Sequence, residues 1–454
     1  MQFPSFHADI ALGDGSLRSP EVPKNWLSFL FGNNKVALRE RRMHVDLRVS
    51  VETGKRNRGF GLVELIVVVS ILGFIMAIVL PGIKAARGSA RRSQCANNQR
   101  QIGRAFQEFV NTNNVFPNAA TYGELPGVET AEAVNRSIIN YVFLNNSAKF
   151  GTYVAANPAK GLFTDIGPLY GWVVDLLPYL DAQALYNGYN RNRVYWDNGR
   201  TGDDRSRPTN LTIASTSLPV LSCPEDTTLL KDAGNLSYVV NGGFSRWHGI
   251  PYGWIGSQAG GATGNTLDWA SLGVPRKTGM FFLGTRGGQT AWDYRPQIRS
   301  IVDGTATTVM LSENCLAGAS PGNAYSGNIV TNWASAHPNF VMFMASDNVC
   351  NNGQCTKTTD LTPMVGGNDG AGWARANQPA TFESINYGSS LTDEGSFPYP
   401  FSNHAGGVIV TMCDGSAKFI KSDIDGTVWS KLITPAGQTL PSQFNQLRLN
   451  PGDF

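Results

Sequence analysis

The chain is poor in charge and in histidine. Charged residues make up only 16% of its 454 positions, while it carries 50 glycines and 10% aromatics. That mixture excludes a disordered polyelectrolyte and points to a folded, loop-rich and strand-rich chain, long enough for two or three domains or one large domain with long loops. Only His248, His337 and His404 follow the apolar run described below, since His7 and His44 precede it. Histidine-based acid–base or triad chemistry has little to draw on. Nucleotide motifs are also missing: no Gly-x4-Gly-Lys-Ser/Thr and no Gly-x-Gly-x-x-Gly occurs. Ser346-Asp347-Asn348 stands without the Ser-x-x-Lys that would give it meaning. No fixed-period repeat is seen, which excludes a solenoid. The net charge of +3 is uneven: residues 1–59 carry a net +4 and the remainder a net −1, so the body has no electrostatic footprint for nucleic acid.

Six cysteines occur, at 95, 223, 315, 350, 355 and 413, with no Cys-x-x-Cys. An even count suits an oxidising compartment. Cys350 and Cys355 bracket Asn-Asn-Gly-Gln, a turn-like loop that they could staple. A disulfide there is favoured over zinc, because the closest histidine in sequence is His337. The pairing of the other four is not readable from sequence.

The most informative stretch is RGFGLVELIVVVSILGFIMAIVLPGIKAAR, Arg58 to Arg87. From Leu62 to Leu80 it has nineteen residues, of which only Glu64 is charged and only Ser70 is otherwise polar. As a helix this spans roughly 28 Å, close to the hydrocarbon thickness of a bilayer. A carboxylate there costs roughly 2.5–3.5 kcal/mol on insertion scales. A secretory signal peptide is disfavoured, since its apolar region is shorter and the small-x-small site Gly88-Ser89-Ala90 lies beyond Lys84 and Arg87. A plain signal anchor leaves Glu64 and Gly59-Phe60 unexplained.

Lys55-Arg56-Asn57-Arg58-Gly59 followed by Phe60-Gly61-Leu62-Val63-Glu64-Leu65 resembles a type IV prepilin leader. The resemblance implies that prepilin peptidase cuts between Gly59 and Phe60 and methylates the new N-terminus. Glu64 then becomes the fifth residue, and Pro81 falls where pilins commonly carry a helix-kinking proline. Gly61 departs from the threonine usual at its position. Basic residues flank the span on both sides, so charge alone does not orient it. The resemblance implies an N-in, C-out, single-pass arrangement in the inner membrane. The 59-residue leader is long; a start at Met43 would give seventeen residues, which makes 1–42 a start-site extension on this reading.

Beyond Pro81, Ile102, Ala105, Phe106, Phe109 and Val110 recur at helical spacing among Arg100, Arg104, Gln107 and Glu108, an amphipathic stripe that should pack on a sheet. One long helix over 60–112 is expected, with a kink at Pro81. Residues 172–186 read as a short helix interrupted at Pro178. Strands are expected at 307–313, 340–345, 408–413 and 417–420, the last two joined by a two-residue hairpin turn at Asp414-Gly415.

Several stretches together resemble a prepilin-like family with a domain of unknown function (DUF 1559), over about 58–440: SQCANNQRQIGRAFQEF, GWVVDLLPYLDAQALYNGYN, LPVLSCPEDT, LSYVVNGG, IRSIVDGTATTVMLSE and SNHAGGVIVTMCDGSAKFI. In the last, which falls in 402–420, His404 is followed by nine residues and then Asp414-Gly415, the family's C-terminal processing-associated motif. The 350–400 region looks like this chain's own insertion. The resemblance implies an α+β, pilin-like fold in which the long helix packs on an antiparallel sheet with long Gly/Asn-rich loops. The domains are then the leader 1–59, the helix 60–112 and a body 113–454. It also implies prepilin peptidase, other pilin-like subunits and inner-membrane lipid as partners, and no reaction. His404 is expected to cap the Gly406-Gly407 turn or bond the Asp414 turn. Asp-rich SDIDGT (422–427) and GGNDGAG (366–372) are weak calcium candidates that read better as turns. Trp247, Trp254 and Trp269 could line a glycan-binding surface, though tryptophans of this kind usually anchor a core or loop. The expected role is a structural subunit of a pilus or pseudopilus, the alternative an envelope-anchored glycan- or solute-binding protein.

Overall fold

The computed structural model describes residues 61–123, 168–197, 199, 208–244, 275–286, 294–315, 332–336, 338–345, 399–440, 445–449 and 453–454, with shorter pieces between 350 and 387. Its contacts divide the chain at Ser70/Ile71 into two units.

Helix α1 runs from Leu62 to Asn113 without interruption and contains Pro81. In its first part every large apolar side chain from Leu62 to Ile83 is exposed. Among the described residues it is the one helix long and apolar enough to cross a membrane. Its last part behaves as the periodicity predicts, for Ile102, Ala105, Phe106, Phe109 and Val110 are all buried. Phe106 meets Trp172 and Phe281 at 5.3 Å between ring centroids.

In the body, strands β1 (Ala120–Tyr122), β2 (Pro168–Gly171), β3 (Tyr238–Asn241), β4 (Leu283–Thr285), β5 (Val309–Glu313), β6 (Met342–Phe343), β7 (Cys350–Asn351), β8 (Gln354–Cys355), β9 (Gly407–Met412) and β10 (Ala417–Lys421) form three sheets. The main one has the order β10-β9-β5-β3-β6, and a smaller one β2-β1-β4. The fold is α+β, as expected, but the sheets are mixed: β1 with β4 and β3 with β6 pair in parallel, the other pairs antiparallel. These parallel pairs join residues far apart in sequence, and local alternation carries no signal of them.

The end of α1 lies on β9. Gln99 is buried, donates to the Ile409 carbonyl at 2.8 Å and accepts from Thr411 Oγ1 at 2.8 Å. Gln107 donates to the Cys413 carbonyl. A Cβ on Gly103 would stand 2.9 Å from Thr411 Cγ2 and 3.2 Å from Gly415 Cα, so glycine permits the close approach of helix and hairpin.

Two expectations need correction. The 340–345 strand is a helical turn over Pro338–Val341 followed by the two-residue β6, because Pro338 opens a turn that takes up Phe340 and Val341. The β9–β10 connection is not a two-residue turn. Gly415 N–H bonds the Met412 carbonyl at 2.9 Å, and Ser416 C=O accepts from Met412 N–H at 2.8 Å. Of the intervening residues only Gly415 has positive φ, at 83°. That is a three-residue loop, Cys413-Asp414-Gly415, closed by a glycine bulge; the two-residue type I′ turn would need positive φ twice. The 172–186 segment divides as predicted, into Trp172–Leu176, a 3-10 turn Leu177–Tyr179 holding Pro178, and Gln183–Gly188.

Candidate functional site

At the start of α1, Gly61 N–H donates to Glu64 Oε2 at 2.9 Å. An acidic side chain in the first turn satisfies an orphan amide and favours the positive end of the helix dipole. Glu64 therefore has an intrachain partner, which sequence reasoning did not foresee. Gly59 and Phe60, the expected cleavage pair, lie outside the described residues.

A second site gathers in the body. His404 Nε2 stands 3.1 Å from Glu313 Oε1 and 3.6 Å from Cys223 Sγ. Cys223 is disulfide-bonded to Cys95 of α1. These four side chains are 0–5% exposed: Cys95 0%, Cys223 1%, Glu313 0% and His404 5%. Glu313 Oε2 also accepts Ile409 N–H at 2.8 Å, tying β5 to β9 through a side chain. Behind Cys223, its N–H donates to Ser237 Oγ at 3.1 Å, and Ser237 donates to Asp226 at 2.6 Å. Burial pushes the Asp226 carboxyl up to about 6, against the bonds from Ser237 and Thr228 that pull it down.

His404 is thus structural in its placement, but its imidazole meets Glu313 and the disulfide, not the Asp414 turn. Asp414 closes its own loop, accepting from Ser416 N–H at 2.9 Å and Ser416 Oγ at 2.6 Å. A long buried carboxylate on β5 outcompetes the distant turn for the ring. Sequence reasoning named neither Glu313 nor the Cys95–Cys223 pair. Cys315 and Cys413 are buried thiols. Burial raises both well above the usual thiol range, helped at Cys315 by the nearby Asp226 and Glu313 carboxyls and at Cys413 by Asp414. Cys350 and Cys355 stand opposite each other across β7 and β8, the register their loop predicts; their side chains lie outside the described residues.

In SDIDGT, Asp425 caps the helix Gly426–Ile433, accepting from Thr427 N–H at 2.9 Å and Val428 N–H at 3.2 Å, the turn role expected of it. Residues 366–372, Trp247, Trp254, Trp269, His248 and His337 lie outside the described residues.

Near the end of α1 a polar cavity of about 310 Å³ is lined by Asn118, Thr121, Asp175, Arg191, Arg286 and Arg295 among others. Burial pushes the half-buried Asp175 carboxyl up to about 6, while Arg295 and Arg191 pull it down. The Asn118 side-chain oxygen is buried without a hydrogen-bond partner.

Residues 84–427 match a family described as protein of unknown function (DUF1559), and residues 54–80 match the prokaryotic N-terminal methylation motif. The chain belongs to the DUF1559 family. Its methylation motif gives it a type IV prepilin-like leader and implies processing by prepilin peptidase. With the exposed apolar part of α1, this leader points to membrane anchoring. No curated protein and no solved structure matches the chain. The four residues of the buried site, Cys95, Cys223, Glu313 and His404, fall one each in four of the stretches that carry the family resemblance.

Proposed function

We propose that this DUF1559 protein is a membrane-inserted structural subunit of a type IV pilus or a type II secretion-like pseudopilus, without enzymatic activity. The observation that carries the reading is Glu64, a carboxylate in the first turn of an apolar helix, within the stretch that matches the methylation motif. Before cleavage the apolar part of α1 sits in inner-membrane lipid with the body outside the cytoplasm, and Glu64 is held by Gly61 N–H at 2.9 Å. Cleavage before Phe60 creates an ammonium one residue ahead of Gly61. Glu64 of an incoming subunit then pairs with the amine of its neighbour, which lowers the cost of both charges in hydrocarbon and sets the axial register. The same contact repeated without closure builds a helical filament.

A second reading has its own support. The polar cavity with three arginines suits an anionic solute, as expected of an envelope-anchored binding protein that uses the leader only for export and anchoring. Glu64→Ala separates the two. Intact-mass analysis should find the variant still cut to a methylated Phe60, while its assembly into filaments is lost. Normal assembly of the variant sinks the register mechanism, and an intact N-terminus in the wild type sinks the processing step.

A further inference from the structure

We propose that Cys95, Cys223, Glu313 and His404 form a redox-gated zinc site, closed by a disulfide when oxidised and by Zn(II) when reduced. The inference goes beyond the filament role and does not depend on it. The side chains come from α1, from the segment after the 3-10 turn Pro219–Leu221, from the end of β5 and from the approach to β9. Their ligand atoms all lie within 4.8 Å of one another. Zinc bonds of about 2.3 Å to sulfur and about 2.0–2.1 Å to nitrogen or oxygen imply ligand-to-ligand edges of about 3.3–3.8 Å in a tetrahedron. His404 Nε2 is already 3.6 Å from Cys223 Sγ and 3.1 Å from Glu313 Oε1. Two sulfurs, an imidazole nitrogen and one carboxylate oxygen are a donor set for zinc, whereas calcium and magnesium take oxygen.

The surroundings favour a closed, structural site. Glu313 keeps its second oxygen on Ile409 N–H, and the Cys223 backbone is held through Ser237 to Asp226, the type of outer contact that orients ligands. Burial of all four side chains leaves no open position for a substrate.

The two states exclude each other, because a sulfur bonded to sulfur is not a thiolate. In the forward step a dithiol or phosphine reductant delivers two electrons, the sulfur–sulfur bond breaks, and each sulfur takes a proton. Zinc then displaces both protons to solvent as it binds the thiolates. In reverse, a disulfide or dioxygen oxidant takes two electrons from the thiolates, the sulfur–sulfur bond re-forms and the metal is released. In either state α1 stays tied to the body across a separation of 128 residues, so a chain that folds before its cysteines are oxidised already has its helix fastened.

The test uses the full chain in detergent, purified anaerobically with a trialkylphosphine and equilibrated with Zn(II) or Co(II). One zinc per chain is expected by elemental analysis, with thiolate-to-cobalt charge-transfer absorption in the cobalt form. Cys315→Ser should keep both signals, while His404→Ala and the near-isosteric Glu313→Gln should bind zinc at least tenfold more weakly. Air oxidation should release the metal as the thiol titre at Cys95 and Cys223 falls to zero. A reduced chain that binds no zinc, binds cobalt without the thiolate absorption, or holds zinc equally well in a folded His404 or Glu313 variant overturns the proposal. If His404→Ala does not fold, Glu313→Gln and the release of metal on oxidation decide it alone.

Discussion

Breaking the Cys95–Cys223 bond should loosen α1 from the body by an amount that can be worked out in advance. The bond closes a sequence separation of 128 residues. The chain-entropy relation assigns such a closure about 5 kcal/mol at 25 °C, and measured disulfides typically deliver 2–4 kcal/mol. Noncovalent contacts remain when the bond is gone: Gln99 to Ile409 and Thr411, Gln107 to Cys413, and the buried stripe from Ile102 to Val110. We therefore expect reduction in the presence of a zinc chelator to cost about 2–5 kcal/mol, a fall of roughly 3–7 °C in unfolding midpoint for a body of this size. The assay is thermal unfolding by near-ultraviolet circular dichroism, oxidised against reduced, with amide exchange to locate the change. Exchange should rise first over residues 95–110. The reduced wild type is the better perturbation, because Cys95→Ala and Cys223→Ala would each add a cavity to the lost tether. A midpoint shift below about 1 °C, or faster exchange confined to other segments, would refute the claim that this bond fastens the helix.

Two further perturbations test the packing and the buried charge. Gly103→Val places branched carbons where Thr411 Cγ2 and Gly415 Cα already crowd a Cβ, at 2.9 and 3.2 Å, so it should destabilise by about 1–3 kcal/mol although valine is the better helix former; an unchanged denaturation midpoint contradicts the close approach. Asp175 has a folded-state carboxyl raised from 3.8 to about 6 by burial, so the native state holds a proton that the unfolded chain has lost. Stability should then fall as pH rises from about 4 to about 6, by no more than about 3 kcal/mol from this group. Denaturant titrations at several pH values should show Asp175→Asn flattening that slope, leaving the part due to Asp226, which is shifted the same way; an identical slope in the variant would rule Asp175 out as its source.

What could be read in advance follows from how far apart the interacting residues lie in the chain. The stripe Ile102, Ala105, Phe106, Phe109 and Val110 is local and periodic, and it is buried as the spacing predicts. Pro178 and the β9 and β10 strands are local too, and they appear where expected. The hairpin loop is one residue longer than expected because Asp-Gly serves both a type I′ turn and a bulged loop, and only the φ of Asp414 separates them. Parallel pairing of β3 with β6, the Cys95–Cys223 bond and the reach of Glu313 to His404 span tens to hundreds of residues, and no periodicity records them.

One long-range signal was nonetheless present in the linear chain. The stretches that resemble the DUF1559 family looked like separate fragments of helix, loop and strand, each weak alone. Folding brings Cys95, Cys223, Glu313 and His404, one from each of four such stretches, within 4.8 Å of one another. Glu313 joins β5 to Ile409 of β9, and Cys95 lies one turn ahead of Gln99, which bonds the same Ile409 through its carbonyl. The helix, the two central strands and the C-terminal motif therefore share one buried junction. A motif histidine read as a turn cap is better understood as the polar centre of that junction, where it can serve the fastening of α1 whether the sulfurs are joined to each other or to a metal. The filament contact proposed at Glu64 and this junction would make different demands on α1: its start would have to be free to meet another subunit, and its end would have to stay with its own body.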